Sequence, residues 1–162
     1  MLRAATIADS QHIRALVFGM HTRALLPHDV AARLPMIFPP LASVEAFLAP
    51  AHRSWVAVEE GAAGGALLGA ISIILGEGGA DAAELNYFYV VDTHQKRGLG
   101  ARLMDEALAH CRAAGVRRVS LTSNVGHYEP AIAYYGKRGF VRTKQFEVAP
   151  GIVLVEMELE LQ

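Results

Sequence analysis

The chain has 162 residues, about half of them apolar and a fifth charged, which is the composition of a globular domain with material for a full core. Fifteen basic against sixteen acidic residues leave a net charge of −1, without the basic surplus of a general nucleic-acid binder. No apolar run reaches 18 residues, so no transmembrane helix is expected. The start carries no signal-peptide pattern, and a cytoplasmic location is the default expectation. The single cysteine, Cys111, excludes an internal disulfide and a cysteine metal cluster. It shares a helical stripe with Leu103, Met104, Ala107 and Leu108, and core packing is its favoured role.

In chain order, residues 2–7 read as a short strand. Asp9 is placed to cap a helix running to about residue 20, with Ile13, Leu16, Val17 and Met20 on one face. Residues 21–40 are irregular and proline-rich, with Met36, Ile37 and Phe38 as loop anchors. Ser43 caps a second short helix. The strands SWVAVEE and ALLGAISIIL flank the turn GAAGG, a hairpin signal. The turn GEGGAD leads to the strand AAELNYFYVV. A long helix over about 99–114 ends at Gly115. A strand at RRVSLTS follows, then a helix at EPAIAYYGKR with Pro130 in its first turn and Gly139 at its end. Two strands, FVRTKQFEVA and GIVLVEMELE, meet at Pro150-Gly151. The order β α α β β β α β α β β predicts a mixed α/β sheet in one domain over 1–162.

The hexapeptide Gln95-Lys96-Arg97-Gly98-Leu99-Gly100 stands between a strand and a helix. It reads either as a tight turn or as a seat for phosphates. Helix-start N–H groups lack internal partners, the helix dipole favours anions, and glycines allow close approach. A P-loop would need Gly-Lys-Ser/Thr, and a dinucleotide fingerprint would need glycine at Leu103; neither is present.

This segment matches Gln/Arg-x-x-Gly-x-Gly/Ala, and with FYVVDTHQKRGLGARLMDEAL it resembles the GNAT superfamily of acetyl-CoA-dependent N-acetyltransferases. A second block, AIAYYGKRGFVRT, is similar to that family's Ala-x-x-x-Tyr-x-x-x-Gly-Phe, carried by Ala131, Tyr135, Gly139 and Phe140. The resemblance spans nearly the whole chain. It implies the GNAT fold: an α/β, mostly antiparallel twisted sheet of about seven strands flanked by about four helices. It departs from the family at Tyr128, where asparagine is frequent, and at Asp92, where many members have proline.

The resemblance further implies acetyl-CoA as co-substrate, direct attack by an amine in a ternary complex, and no metal. Gln95, Lys96, Arg97, Gly98, Leu99 and Gly100 are then expected at the pyrophosphate. Val90 and Val91 would pair with the pantetheine arm, Val90 N–H facing the thioester carbonyl, with Asn124, Tyr128 and Ala131 nearby. Glu84, eleven residues before Gln95, is the candidate base and Tyr135 the candidate acid. An amine of pKa near 10.4 is mostly protonated at neutral pH and needs a base, and a phenol of pKa near 10 lies close enough to a thiol to serve the departing sulfur. Strand alternation is expected to place Glu84, Asn86, Phe88 and Val90 on one face, where apolar neighbours raise the carboxyl pKa. The plain alternatives are a solvated acid at a strand end and a packing tyrosine.

On the acceptor side the residues named are His21, Arg23, His28, Asp29, Ser72, Tyr87, Ser123, Asn124 and His127, although surface loop histidines are common. The partners expected are acetyl-CoA and an amine acceptor, with a homodimer allowed, and neither nucleic acid nor membrane. A different class of function fits the same loop: a non-catalytic acyl-CoA sensor or interaction domain, which needs neither Glu84 nor Tyr135. A nucleotide-binding module is a third reading.

Overall fold

A computed structural model gives the structure over residues 1–9, 12, 13, 15, 52–59, 65–126 and 128–162. Seven strands form one sheet: β1 (Leu2–Ala4), β2 (His52–Val58), β3 (Leu67–Leu75), β4 (Ala82–Val90), β5 (Arg118–Asn124), β6 (Val141–Ala149) and β7 (Ile152–Glu160). Their order is β1-β2-β3-β4-β5-β7-β6. Every neighbouring pair is antiparallel except β4 with β5. That one parallel pair needs a crossover, and helix α1 (Leu99–Ala113) supplies it; α2 (Glu129–Lys137) joins β5 to β6.

The expected strand at 2–7 is shorter, because Ile7–Asp9 turn into a single 3-10 turn. Asp9 stands before Ser10 and Gln11, and the expected helix cap falls on these residues, which lie outside the described ones. The Asp9 carboxylate accepts from both terminal nitrogens of Arg3 at 2.7 and 2.8 Å and from the N–H and hydroxyl of Thr6 at 2.7 and 2.8 Å. These four donors hold its pKa far below the usual carboxylate range, the Arg3 hydrogen bond contributing most. Of the helix expected to run to residue 20, His12, Ile13 and Ala15 are helical and Ile13 is buried. The remainder, the helix expected from Ser43, Met36–Phe38 and most of the turn GAAGG lie outside the described residues. Of the about four helices expected, two are complete among the described residues.

Helix α1 buries Leu103, Met104, Ala107, Leu108 and Cys111, and this stripe packs on β2, β3 and β4. Cys111 is a core residue, fully buried, and desolvation pushes its thiol up to about 11. Both helices end alike. Val116 N–H donates to Cys111 C=O at 2.9 Å and Gly115 N–H to Arg112 C=O at 3.0 Å; Phe140 N–H donates to Tyr135 C=O at 3.0 Å and Gly139 N–H to Gly136 C=O at 3.1 Å. This is the paired closure that a left-handed residue after a helix makes possible. Among the described residues, no helix is long and apolar enough to cross a membrane.

Candidate active site

Three pairs hold β4 to β5: Ala82 with Arg118, Ala83 with Val119 and Glu84 with Ser120. Beyond Glu84 the strands part, because β4 stays with β3 while β5 stays with β7. A wedge-shaped opening results, with Glu84 at its vertex. It holds a cavity of about 630 Å³ whose lining includes Phe88, Val90, Gln95, Lys96, Gly98 and Gly100 on one side, and Tyr128, Ala131, Tyr134 and Tyr135 on the other. An ion pair from Arg138 to Asp105 ties the end of α2 to α1.

The backbone of β4 supplies free polar groups to this opening. Val91 N–H donates to Leu68 C=O at 2.9 Å. The antiparallel ladder alternates, so the N–H groups of Val90 and Phe88 point away from β3 and into the gap. Val91, expected to pair with a ligand, is instead spent on β3 and on its own turn, where His94 N–H donates to its carbonyl. The pairing edge is Phe88 and Val90.

At the head of α1, Gly98 has φ 81° and Lys96 has φ 58°. Left-handed lysine is uncommon; here it turns the chain so that the helix starts at Leu99. The first helical bond runs from Arg102 N–H to Gly98 C=O, which leaves the earlier N–H groups of α1 without helical acceptors. Gly100 meets a second demand: a Cβ there would lie 3.1 Å from Phe88 Cζ, so glycine lets α1 start close against β4. Lys96, expected at the pyrophosphate, lines the cavity. Arg97 and Leu99 are not lining residues; Leu99 packs on the core.

Glu84 is half-buried, and its carboxyl pKa is raised by burial first and then by Glu77 and Glu156. The expected alternation fails between Glu84 and Phe88. Ile73 pairs with Leu85 and the adjacent Ser72 with Tyr87, so Asn86 is an extra residue, a β-bulge. Leu85, Phe88 and Val90 consequently face the helices and their core, while Tyr87 packs with Val56, Val58, Ala70 and Ile13 on the other face. Glu84, adjacent to Leu85, lies on the Tyr87 face.

Tyr135 is a core residue of α2, with ring centroids 5.8 Å from Phe140, 5.9 Å from Tyr134 and 6.3 Å from Phe88. Desolvation pushes its phenol pKa well above 10, further from a thiol than its ordinary value. Tyr128, at the asparagine position, lines the cavity, and burial raises it to about 12. Tyr134 and Phe88 were not singled out as ligand-facing; their centroids are 5.6 Å apart on the cavity wall.

The acceptor-side candidates separate. Ser72 is fully buried, and Ser54 Oγ donates to its Oγ at 3.0 Å; Tyr87 Oη donates to Ser54 Oγ at 3.5 Å. These hydroxyls tie β2, β3 and β4 together, and burial lifts Tyr87 to about 12. Ser123 shares the helix-facing side with Leu121, whereas Asn124 lies on the opposite face, 3% exposed, its buried Oδ1 without a hydrogen-bond partner among the described residues. Asn124 is not a lining residue of the cavity. His21, Arg23, His28, Asp29 and His127 lie outside the described residues. Among those residues no cluster of three His, Cys, Asp or Glu side chains is placed to hold a metal.

A parting parallel strand pair in a mostly antiparallel sheet, with a helix start open to anions at its rim, defines this class of α/β domain. The sequence model of the Acetyltransferase (GNAT) family matches residues 24–140, and the chain belongs to that family. Among solved structures it is similar to an acetyltransferase of the GNAT family from Staphylococcus aureus Mu50, with TM-score 0.77 and 14% identity over 100% of this chain and 99% of that one. It is also similar to an aminoglycoside 6′-N-acetyltransferase complexed with coenzyme A, with TM-score 0.75 and 15% identity over 99% and 96%. The ribosomal-protein-alanine N-acetyltransferase from Brucella melitensis aligns with TM-score 0.72 and 21% identity over 99% of each chain. At these identities the likeness is one of fold. No curated protein gives a significant match.

Proposed function

We propose that the chain transfers an acetyl group from acetyl-CoA to a primary amine by direct attack in a ternary complex. The observation that carries this is the opening beyond Glu84 and Ser120, with Val90 N–H facing into it and the bare start of α1 at its rim. The residues present fit acetyl-CoA. Phe88, Ala131 and Tyr134 give an apolar channel for the pantetheine arm. The N–H groups from Lys96 to Ala101 and the Lys96 ammonium give an anion seat for the pyrophosphate. Bound acetyl-CoA supplies the activated acyl group.

Glu84 takes a proton from the incoming ammonium, through water. Its raised pKa brings the carboxylate closer to the range in which a base works near neutral pH. Glu77 and Glu156 beside it favour an acceptor that arrives as a cation. Val90 N–H donates to the thioester oxygen as negative charge develops there. Tyr135 donates a hydrogen bond to the departing sulfur, which takes up the proton shed by the attacking nitrogen and leaves as the thiol; the raised pKa keeps the phenol a donor throughout.

The test is a thiol-release screen with acetyl-CoA and a panel of polyamines, amino acids, aminoglycosides and short peptides, followed by mass spectrometry of the product. Amine-dependent thiol release with a mass gain of one acetyl group on the amine is the expected result. CoA binding without release for any amine class favours the non-catalytic sensor, and no CoA binding removes both readings.

A further inference from the structure

We propose that Gln95 is a positioning residue for the free edge of β4, held in turn by Asp92, and not a ligand of the phosphates. This rests on the acetyl-CoA reading above. Gln95 Nε2 donates to Val90 C=O at 3.0 Å and to Asp92 Oδ1 at 3.1 Å. Both neighbours are acceptors, which fixes the amide orientation with its nitrogen towards them. An amide nitrogen carries two hydrogens, and both are used. The backbone N–H of Gln95 is used as well, donating to Asp92 C=O at 3.3 Å. The remaining polar atom of the side chain, Oε1, only accepts and offers nothing to an anion. Gln95 therefore has no donor left for a pyrophosphate, and the phosphate seat begins at Lys96.

The same bonds act on the strand. Val90 C=O points into the opening beside its N–H, and pinning it fixes the plane in which that N–H is presented. Asp92 stabilises the pin. Its Oδ1 also accepts from Tyr89 Oη at 3.3 Å, and Tyr89 is a buried residue of β4. An exposed carboxylate at the rim of an anion seat is otherwise unfavourable; turned onto Gln95 and Tyr89, it becomes the brace of the strand end. A proline at position 92 has no side-chain acceptor for this.

The test separates the two halves of CoA. Affinities of the wild type and of Gln95→Met, which keeps length but lacks donors, are measured by calorimetric competition for CoA, pantetheine and 3′-phospho-ADP. The expected result is a weakening of pantetheine and CoA by roughly threefold to tenfold, the worth of one or two modest hydrogen bonds, with 3′-phospho-ADP unchanged. Loss on 3′-phospho-ADP with pantetheine unchanged makes Gln95 a phosphate ligand and overturns the proposal. Equal losses on both fragments mark collapse of the loop and overturn it too. Asp92→Ala is expected to copy Gln95→Met, while Asp92→Asn, which keeps Oδ1, retains pantetheine affinity; equal loss in both Asp92 variants sinks the brace. A wild type that binds no CoA defeats the acetyl-CoA reading itself, and the inference with it, a result distinct from any variant ratio.

Discussion

Phe140 N–H donates to the carbonyl of Tyr135, and the two rings meet edge to face. The spacing Tyr-x-x-x-Gly-Phe is thus the geometry of a helix end. Tyr135 stands three residues before the cap, Gly139 takes the left-handed turn at φ 94°, and Phe140 folds back onto Tyr135. The candidate acid is positioned by the way its own helix stops.

Gly139→Ala follows from this. It forces a side chain into the left-handed region, with its Cβ 3.2 Å from Leu159 Cδ1. A loss of about 1–2 kcal/mol is expected, seen as a drop of roughly 2–8 °C in thermal denaturation for a chain of this size. An unchanged midpoint counts against the cap as the determinant of this helix end.

Tyr135→Phe keeps the ring packing and removes the donor. With the phenol serving the departing sulfur, kcat falls by roughly 10²-fold while CoA affinity stays within about twofold. Steady-state kinetics and calorimetry on one preparation check both numbers, and an unchanged kcat removes the role.

Glu84→Gln has two signatures. The acidic limb of the kcat/KM profile should disappear, since the wild-type carboxylate becomes a base only as pH rises through its raised pKa. The stability signature has the opposite direction. A carboxyl whose folded pKa exceeds its unfolded value costs nothing below the unfolded value, near 4.3, and destabilises the fold once pH passes the folded value. Glu84→Gln should therefore match the wild type near pH 4 and melt higher at pH 7. Equal melting differences at both pH values rule out the raised pKa.

Asp9→Asn works the other way. The folded pKa of Asp9 is depressed, chiefly by Arg3, so its contribution is complete above the unfolded value near 3.9 and is lost as pH falls through the folded one. The variant should be less stable by about 1–3 kcal/mol at pH 7, and the gap to wild type should narrow below pH 4. Denaturant melts at pH 7 and pH 3 measure it.

Gly98→Ala tests the phosphate seat. At φ 81° with no atom within 4 Å of a new Cβ, the added methyl meets no obstacle and the cost is conformational, about 1 kcal/mol. The loop's N–H groups should then be misdirected, weakening 3′-phospho-ADP and leaving pantetheine unaffected. Fragment calorimetry shows the split, and equal weakening of both fragments contradicts it.

Local chemistry alone determined the elements from β3 onward. The strands expected at 66–75, 82–91, 117–123, 140–149 and 151–160 and the helices at 99–114 and 129–138 are found within a residue or two of their observed ends, because glycine turns, apolar stripes and helix stops are properties of neighbours in sequence. The loop Gln95–Gly100 and the Tyr135–Phe140 block were legible for the same reason. Tertiary structure decided what neighbours in sequence do not encode. The bulge at Asn86 arises from the register against β3 and moves Glu84 to the face opposite Phe88 and Val90. Partners brought close by the fold drew the Asp9 carboxylate to the Arg3 donors and turned the Gln95 amide nitrogen to the Val90 and Asp92 acceptors. Three-strand packing buried Ser72 and Tyr87 with Ser54. The opening beyond Glu84 exists because β4 and β5 each have a stronger antiparallel partner on the other side, a choice made between strands far apart in the chain.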